Sequence, residues 1–556
     1  MGIYMTNSQY DYIIIGAGSS GCVLANRLTA DPSKRVLLLE AGPADNLLWI
    51  KIPAGMTRLF SNSKVNWRYQ GAAEPGLNNR VLYCPRGKTL GGSSSINGLV
   101  YMRGNPKDYD DWRDEGNSGW GWDDVLPYYK KSEKQLRGGD AFHGADGELA
   151  IADVVNPHQA SHLFIEAAQN VGIPFNPDFN GVRQEGVGYP QMTMQNGVRQ
   201  STATAFLDPI KHRPNLEILV NAHVEKILFE GNRAIGVSYA LKGKPGQCTA
   251  MAAEIILSGG TIASPQLLML SGVGPKEHLQ EHGISVVKDL PGVGENLHDH
   301  AYVHFLNQVS PEMSINQEIQ GWRLIPHVLQ YVGTRKGLLT SAAAQVVSFT
   351  KSDPSLEYPD IQIQFRPFSI VVTEDGRIVP EKIPVVTASC SQVRPKSRGR
   401  LRLNSANSHD DPNILMNYLT HEDDCKAMIA GIRWMRKIYS SQPLADKVVK
   451  ETMPGRHLQT DEELLGYIRQ FGQSMYHPVG TCRMGKDEMA VVDSRLRVYG
   501  IEGLRVVDAS IMPSITSGNT NAPAIMIGEK AADMIIEDAR ALTNAGYTPA
   551  IKSAVA

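Results

Sequence analysis

The chain has 556 residues, of which 42% are hydrophobic and 20% charged, with 52 glycines and 32 prolines. This length allows several domains and a large core, and the glycine and proline load suits a loop-rich enzyme rather than a helical bundle. A formal charge of −2 removes any electrostatic case for nucleic acid as a partner.

Six cysteines stand singly, without metal-ligand or disulfide-framework spacing, which points to a reducing compartment and to no metal. At the N-terminus the polar Asn7, Ser8 and Gln9 run straight into an apolar stretch, so no signal peptide is expected. No apolar run approaches the roughly 18 residues that span a bilayer. The composition fits a soluble protein; the expected location is the cytoplasm, with contact at the inner face of the membrane left open.

In chain order, the first unit is the most informative. A short β-branched run at 12–15 reads as a buried parallel strand. It stops at Gly16-x-Gly18-x-x-Gly21, and a helical pattern with Val23, Leu24 and Leu28 on one face follows. A second apolar run at 36–39 ends at Glu40, about 20 residues after the last glycine. This is a dinucleotide fingerprint in context. Gly16 makes the tight turn, Gly18 admits a pyrophosphate, and Gly21 lets helix and strand pack closely. The helix N-terminus faces the phosphates. Glu40 accepts hydrogen bonds from the adenosine ribose and disfavours the 2′-phosphate of NADP. The motif does not separate FAD from NAD.

Residues 44–80 read as loop with short elements. The stretch 86–98, RGKTLGGSSSING, offers backbone N–H groups and hydroxyls without bulk, suited to close approach of a flat or anionic ligand. Trp112, Trp120, Trp122, Tyr128 and Tyr129 read as core, with a short helix from Asp123 onward. Residues 160–172 read as an amphipathic helix. Strands are expected at 214–220, 224–229, 234–240 and 254–257, the last running through Gly259-Gly260 into a helix. His298-Asp299-His300 invites a metal reading, but two histidines at i, i+2 face opposite sides of a strand and no third ligand is in register. Alternation at 361–365 suggests a half-exposed antiparallel or mixed sheet in a second domain, and 423–438 a helix. The basic run 394–402 reads as a solvated turn and strand. At the end, 476–485 (YHPVGTCRMG), a strand at 504–507, and 517–523 (SGNTNAP) lead into a helix expected at 524–537, with Asn519 or Asn521 just before it.

Four of these blocks together, the fingerprint, 86–104, 259–275 and the C-terminal HPVGTCRMG…VVDASIMP…GNTNAP series, resemble the glucose–methanol–choline (GMC) oxidoreductases, FAD-dependent alcohol dehydrogenases and oxidases. The likeness is greatest to the bacterial choline dehydrogenase and alcohol dehydrogenase branch. It implies an α/β fold with a Rossmann-like FAD-binding domain assembled from 1–155, 200–300 and 471–540. It implies an inserted substrate domain from 156–199 and 301–470, built on an antiparallel or mixed sheet, and a C-terminal tail at 541–556.

The resemblance also implies the site. FAD is held at Gly16, Gly18, Ser19, Ser20, Gly21, Glu40 and Ala41. Further contacts come from Thr89, Gly91, Gly92, Ser93, Asn97, Gly98 and Val100. The Val224 backbone meets the adenine, Asp508 and Ala509 lie near the pyrophosphate, and Asn519 and Asn521 approach the flavin. Relatives that bind flavin covalently carry a His where this chain has Ile96, so FAD is expected to be non-covalent. The catalytic pair carries over as His477 and Asn519. A neutral imidazole near its ordinary pKa of about 6.5 suits removal of a hydroxyl proton. Choline-active relatives carry a glutamate in the substrate domain. The corresponding position is read as Gln345, ahead of Phe349, which turns the expectation from choline to a neutral primary alcohol. The expected reaction is oxidation to the aldehyde, with electrons passing to a quinone-type acceptor. The alternatives are an oxidase releasing H2O2, a cyanohydrin lyase with a non-redox flavin, and a non-catalytic flavin protein.

Overall fold

The computed structural model describes residues 4–341, 343–372 and 378–545. Its first sheet is built on β1 (Tyr4–Ile15) and β2 (Val36–Glu40), joined by helix α1 (Ser19–Leu28). The middle of the chain adds β3 (Leu216–Val220), β4 (Ala222–Glu230), β5 (Arg233–Leu241) and β6 (Gln247–Leu257), and β6 feeds helix α2 (Gly260–Leu270). The end of the chain adds β7 (Leu504–Val506) and the long helix α3 (Asn521–Asn544).

The strand order is β3-β2-β1-β6-β5-β4, with β7 beside β6. Strands β3, β2, β1, β6 and β7 run parallel, and β4 and β5 are antiparallel additions. The residues at 12–15 and 36–39 are all buried, as a sheet covered on both faces requires. One cover is α1 against α3, where a Cβ on Gly528 would lie 3.0 Å from the Ser20 Cα. Strand β1 begins well before the apolar run, because its first residues pair with Cys248 and Thr249 of β6. Pairing of this kind extends a strand through polar positions that carry no hydrophobic signal.

The second sheet has the order Val448–Met453, Ala301–Val309, Val385–Gln392, Ile361–Arg366, Val346–Thr350, Gly186–Gly188, with Gln473–Ser474 beside Ala301–Val309. Its pairings are antiparallel. Alternate side chains explain the pattern at 361–365. Ile363 and Phe365 are fully buried, and helix Glu422–Tyr439 packs on this part of the sheet, with Gly431 close against Cys390. Gln364 points the other way, into an internal cavity rather than to bulk water. A smaller sheet pairs Gln191–Gln195 with Val100–Tyr101 and Leu149–Ala152, across the boundary expected at 155/156.

Two other expectations change. The basic run is not a solvated turn: Arg394 pairs with Asp108 at 2.8 Å, Arg398 donates to Asn296 at 3.0 Å, and Arg402 pairs with Glu295. The final helix takes in Asn521 at its start and 541–544 at its end, so those residues are not tail; 546–556 lie outside the described residues. Trp112, Trp120 and Tyr129 are core. Among the described residues no helix is long and apolar enough to cross a membrane.

Candidate active site

A cavity of about 930 Å³ runs from Glu40 at one end to His477 at the other, lined by residues of both large sheets. Its Glu40 end is made of bare backbone. Gly16 has φ +98°, and a Cβ there would stand 2.5 Å from the Ser258 carbonyl oxygen. Gly92 has φ +53°, and a Cβ there would stand 2.8 Å from the Gly18 Cα, so the 91–98 loop lies directly on the fingerprint turn. Both positions are strained or closed to any side chain. The N-termini of α1, α2 and α3 all reach this cavity, at Ser19, Gly260 and Asn521. In none of them does the N-cap residue (Gly18, Gly259 or Thr520) bond the first turn through its side chain, although Asp508 takes the Gly260 N–H of α2. Their N–H groups and positive dipole ends are therefore available to an anionic ligand.

Polar anchors are set around this cradle. Glu40 accepts from the N–H of Ala17 at 3.0 Å and of Gly42 at 2.8 Å. Burial raises its pKa to about 7 against those two bonds. Asp508 accepts from Gly260 N at 2.9 Å and Ser264 Oγ at 2.6 Å, tying β7 to α2. A β-bulge between Val224 and Lys226 turns the strand where Val224 lines the cavity. Asn97 Oδ1 accepts from Arg199 at 2.7 Å and from Leu99 N at 3.1 Å, which fixes the amide at the cavity wall. Ser19 Oγ donates to Asn521 Oδ1 at 2.7 Å, joining the first and last helices at the site.

At the other end, His477 Nε2 lies 3.1 Å from Asn519 Nδ2, and His477 Nδ1 lies 3.1 Å from His300 Nδ1. The protons can be assigned along this chain. His300 Nε2 is 3.2 Å from the Val393 carbonyl oxygen, which only accepts, so that nitrogen carries the proton. His300 Nδ1 is then bare, and His477 Nδ1 donates to it. His477 Nε2 is left unprotonated beside the Asn519 amide. Asn519 Oδ1 is buried with no partner, an acceptor waiting for a donor.

The backbone is held as firmly as the rings. Asp299 Oδ1 accepts from His477 N at 2.7 Å and His300 N at 2.8 Å, and its Oδ2 accepts from Tyr418 and Ser474. Arg86 bonds the Tyr476 carbonyl, and Tyr476 adopts φ +67°, an uncommon conformation for a bulky residue. Burial, then the neighbouring His300 and Arg86, hold His477 well below the ordinary histidine pKa. The expectation of an ordinary value near 6.5 is corrected accordingly: imidazole out of water favours its neutral form.

The cavity brings together most of the expected site residues: Gly16, Gly18, Ser19, Ser20, Glu40, Ala41, Gly92, Ser93, Asn97, Gly98, Val100, Val224, Asp508, Ala509, His477, Asn519 and Asn521. Three glycine-rich-loop and fingerprint residues stand behind the wall instead. Gly21 packs on the Gly16 carbonyl, Gly91 donates to the Ala17 carbonyl at 2.7 Å, and Thr89 donates to the Pro43 carbonyl at 2.8 Å. Gln345 is misassigned as a substrate contact. It is buried away from the cavity, accepting from His158 N at 2.9 Å and Ser161 Oγ at 2.8 Å and donating to Ser341 Oγ at 3.0 Å. The HDH triplet at 298–300 serves the site in a way that its spacing does not announce. Its Asp and second His instead hold His477, while His298 bonds the Asn296 carbonyl at 2.6 Å and accepts from Ile515 N at 2.9 Å. An acid flanked by two histidines was the available signal.

These features fit FAD: a glycine cradle at helix N-termini, a carboxylate at the ribose position, and an unpartnered amide oxygen beside a bare imidazole nitrogen. Fold and site define an FAD-dependent oxidoreductase acting on CH–OH groups. The chain belongs to the GMC oxidoreductase family, whose N- and C-terminal models match residues 10–302 and 395–528. It is 47% identical over 534 residues to alcohol dehydrogenase [acceptor] of Pseudomonas putida, covering 95% of this chain and 96% of that protein. It is 42% identical over 536 residues to the mitochondrial choline dehydrogenase of Mus musculus, covering 95% and 89%. Pyridoxine 4-oxidase from Mesorbium loti superposes with a TM-score of 0.86 at 30% identity, covering 95% of this chain and 99% of that one.

Proposed function

We propose that the chain oxidises a primary alcohol to an aldehyde, with His477 as the base. The observation that carries this reading is the bare Nε2 of His477 facing the cavity next to Asn519. His477 takes the hydroxyl proton, which buried neutral imidazole does without first having to lose one of its own. Asn519 Nδ2 donates to the oxygen as negative charge develops there. The cradle residues would hold FAD, which would supply the hydride acceptor. His300 and Asp299 hold the imidazole in the one tautomer and position that serve this transfer. Buried Ile96 lines the cavity where covalent relatives have a histidine, which supports dissociable FAD.

The acceptor reading is a quinone-type molecule delivered from a membrane surface. Helix Leu324–Thr334 reaches the cavity through Leu324 and Val328. On its outer side Trp322, Ile325, Leu329 and Val332 are exposed by 75, 57, 66 and 65%. No Asp or Glu occurs between 319 and 352, whereas Arg323, Arg335 and Lys336 flank the helix. An apolar face rimmed by cations suits the boundary of an anionic bilayer.

The experiment is anaerobic titration of the flavin with primary alcohols. Bleaching of the oxidised flavin band supports oxidation; its absence with all alcohols favours the lyase or a non-catalytic flavin protein. Peroxide released in air identifies an oxidase, and reduction of a quinone analogue without peroxide identifies the dehydrogenase.

A further inference from the structure

We infer that Arg366 forms an anion subsite in the alcohol compartment, so that the preferred substrate is an alcohol bearing a carboxylate or comparable anionic group away from the reacting carbon. This rests on the alcohol-oxidation reading above and replaces the expectation of a neutral alcohol.

Arg366 ends the strand Ile361–Arg366, and by alternation its side chain projects on the same face as Gln364. Both line the cavity, together with Tyr302, His304 and Ser389 from the neighbouring strands. The register sets these in one layer: Gln364 pairs with Ser389, and Ser389 with His304. Two polar atoms of this layer are orphaned. Arg366 Nε and His304 Nδ1 are both buried without a hydrogen-bond partner. Among the described residues Arg366 makes no ion pair and no acid neutralises it; its guanidinium sits 5.6 Å from the Phe368 ring centroid. The acids that line the cavity, Glu40, Asp410, Asp411 and Asp508, are not among its partners.

The location is the catalytic end. Tyr302 of this layer pairs with Gln473, four residues before His477, and Gln473, Tyr476 and His477 line the same cavity as Arg366. Tyr302 itself is committed to Gln473 at 3.1 Å. Burial and the Arg366 charge keep His304 neutral, with a pKa of about 3, so in this layer of the sheet the charge is carried by Arg366. A guanidinium withdrawn from water without a counter-charge is costly, and a carboxylate entering the cavity relieves that cost through charge-assisted bonds. The same charge repels a quaternary ammonium. Arg366 thus supplies the case against choline that Gln345 does not.

The test uses the FAD-loaded enzyme under argon, with ω-hydroxycarboxylates of increasing chain length and the n-alkanols of equal length. Wild type is expected to favour the best hydroxy acid over its matched alkanol by about tenfold or more in the second-order rate of flavin reduction, the scale of a charged hydrogen bond. Arg366→Leu is expected to erase that ratio and Arg366→Lys to restore part of it. An n-alkanoate should perturb the oxidised flavin spectrum of wild type but not of the leucine variant, and a tetraalkylammonium ion should perturb neither. Equal rates with both classes in wild type, or an unchanged ratio in Arg366→Leu, overturn the proposal while alcohol oxidation stands. Loss of FAD from both variants assigns Arg366 to the cofactor and also overturns it. If no alcohol reduces the flavin, the oxidation reading fails, and alkanoate binding still decides the subsite.

Discussion

The Nδ1 atoms of His477 and His300 lie 3.1 Å apart, with the two rings at 89° to one another. Because the far nitrogen of His300 faces a carbonyl oxygen, the shared proton belongs to His477. The polarity of a backbone carbonyl thereby fixes which nitrogen of His477 is free at the cavity wall.

Replacing His477 by Ala should lower anaerobic flavin reduction by at least about a hundredfold, the scale of a lost general base. FAD content should be retained, since the glycine turns and Glu40 that form the cradle do not depend on the imidazole. Near-normal reduction by the variant would remove His477 from the role of base.

His300→Phe deletes the acceptor for the His477 proton but keeps an aromatic ring. The expected result is a fall in kcat of about tenfold or more with little change in KM, as for loss of an interaction that matters most in the transition state. His300→Gln, which retains an acceptor, should recover part of the rate. Equal defects in both variants would point to packing rather than tautomer control.

The pH profile should follow the depressed pKa of His477. Its folded value lies well below 6.5, so the base stays unprotonated as pH falls through 6.5 and is lost only further down. The acidic limb of kcat/KM should therefore lie well below pH 6.5. A limb at 6.5 or above that disappears in a His477 variant would contradict the burial argument.

Glu40 titrates in the opposite sense. Its folded pKa of about 7 exceeds the ordinary 4.5, so its contribution to stability is present below 4.5 and is lost as pH rises through 7. In the cofactor-free chain, Glu40→Gln should flatten the decline of the melting temperature across that window, and the variant should retain FAD less well. Identical pH–Tm curves for the two proteins would refute the assignment.

A charge placed in the apolar stripe tests the membrane face. Leu329→Glu should weaken sedimentation with vesicles containing phosphatidylglycerol, and added salt should weaken binding of the wild type. Equal binding to neutral vesicles, or none to either, would rule out an anionic surface as the docking partner.

The nucleotide half of the site was legible in the sequence because its parts are local. A glycine turn, the helix after it and the acid at the end of the next strand are fixed by short-range geometry, and each leaves a mark at a set spacing. Strand ends were less legible: β1 reaches back to Tyr4 through pairing with β6, which no run of apolar residues announces. The proposed catalytic pair, His477 and Asn519, stands out in the sequence through the family's blocks, but its support does not. Asp299 and His300 meet His477 from 177 or more positions away, and Arg366 faces the same compartment from a different strand. Gln345 stands four residues before Phe349, yet its side chain turns inward to His158 and Ser161. By itself, then, the sequence determined the cofactor class and the fold, and it pointed to His477 and Asn519 as the pair to test. The tertiary structure alone decided the tautomer of the base, its depressed pKa and the unpaired cation opposite, because these depend on burial and on partners that only chain folding brings within hydrogen-bond distance.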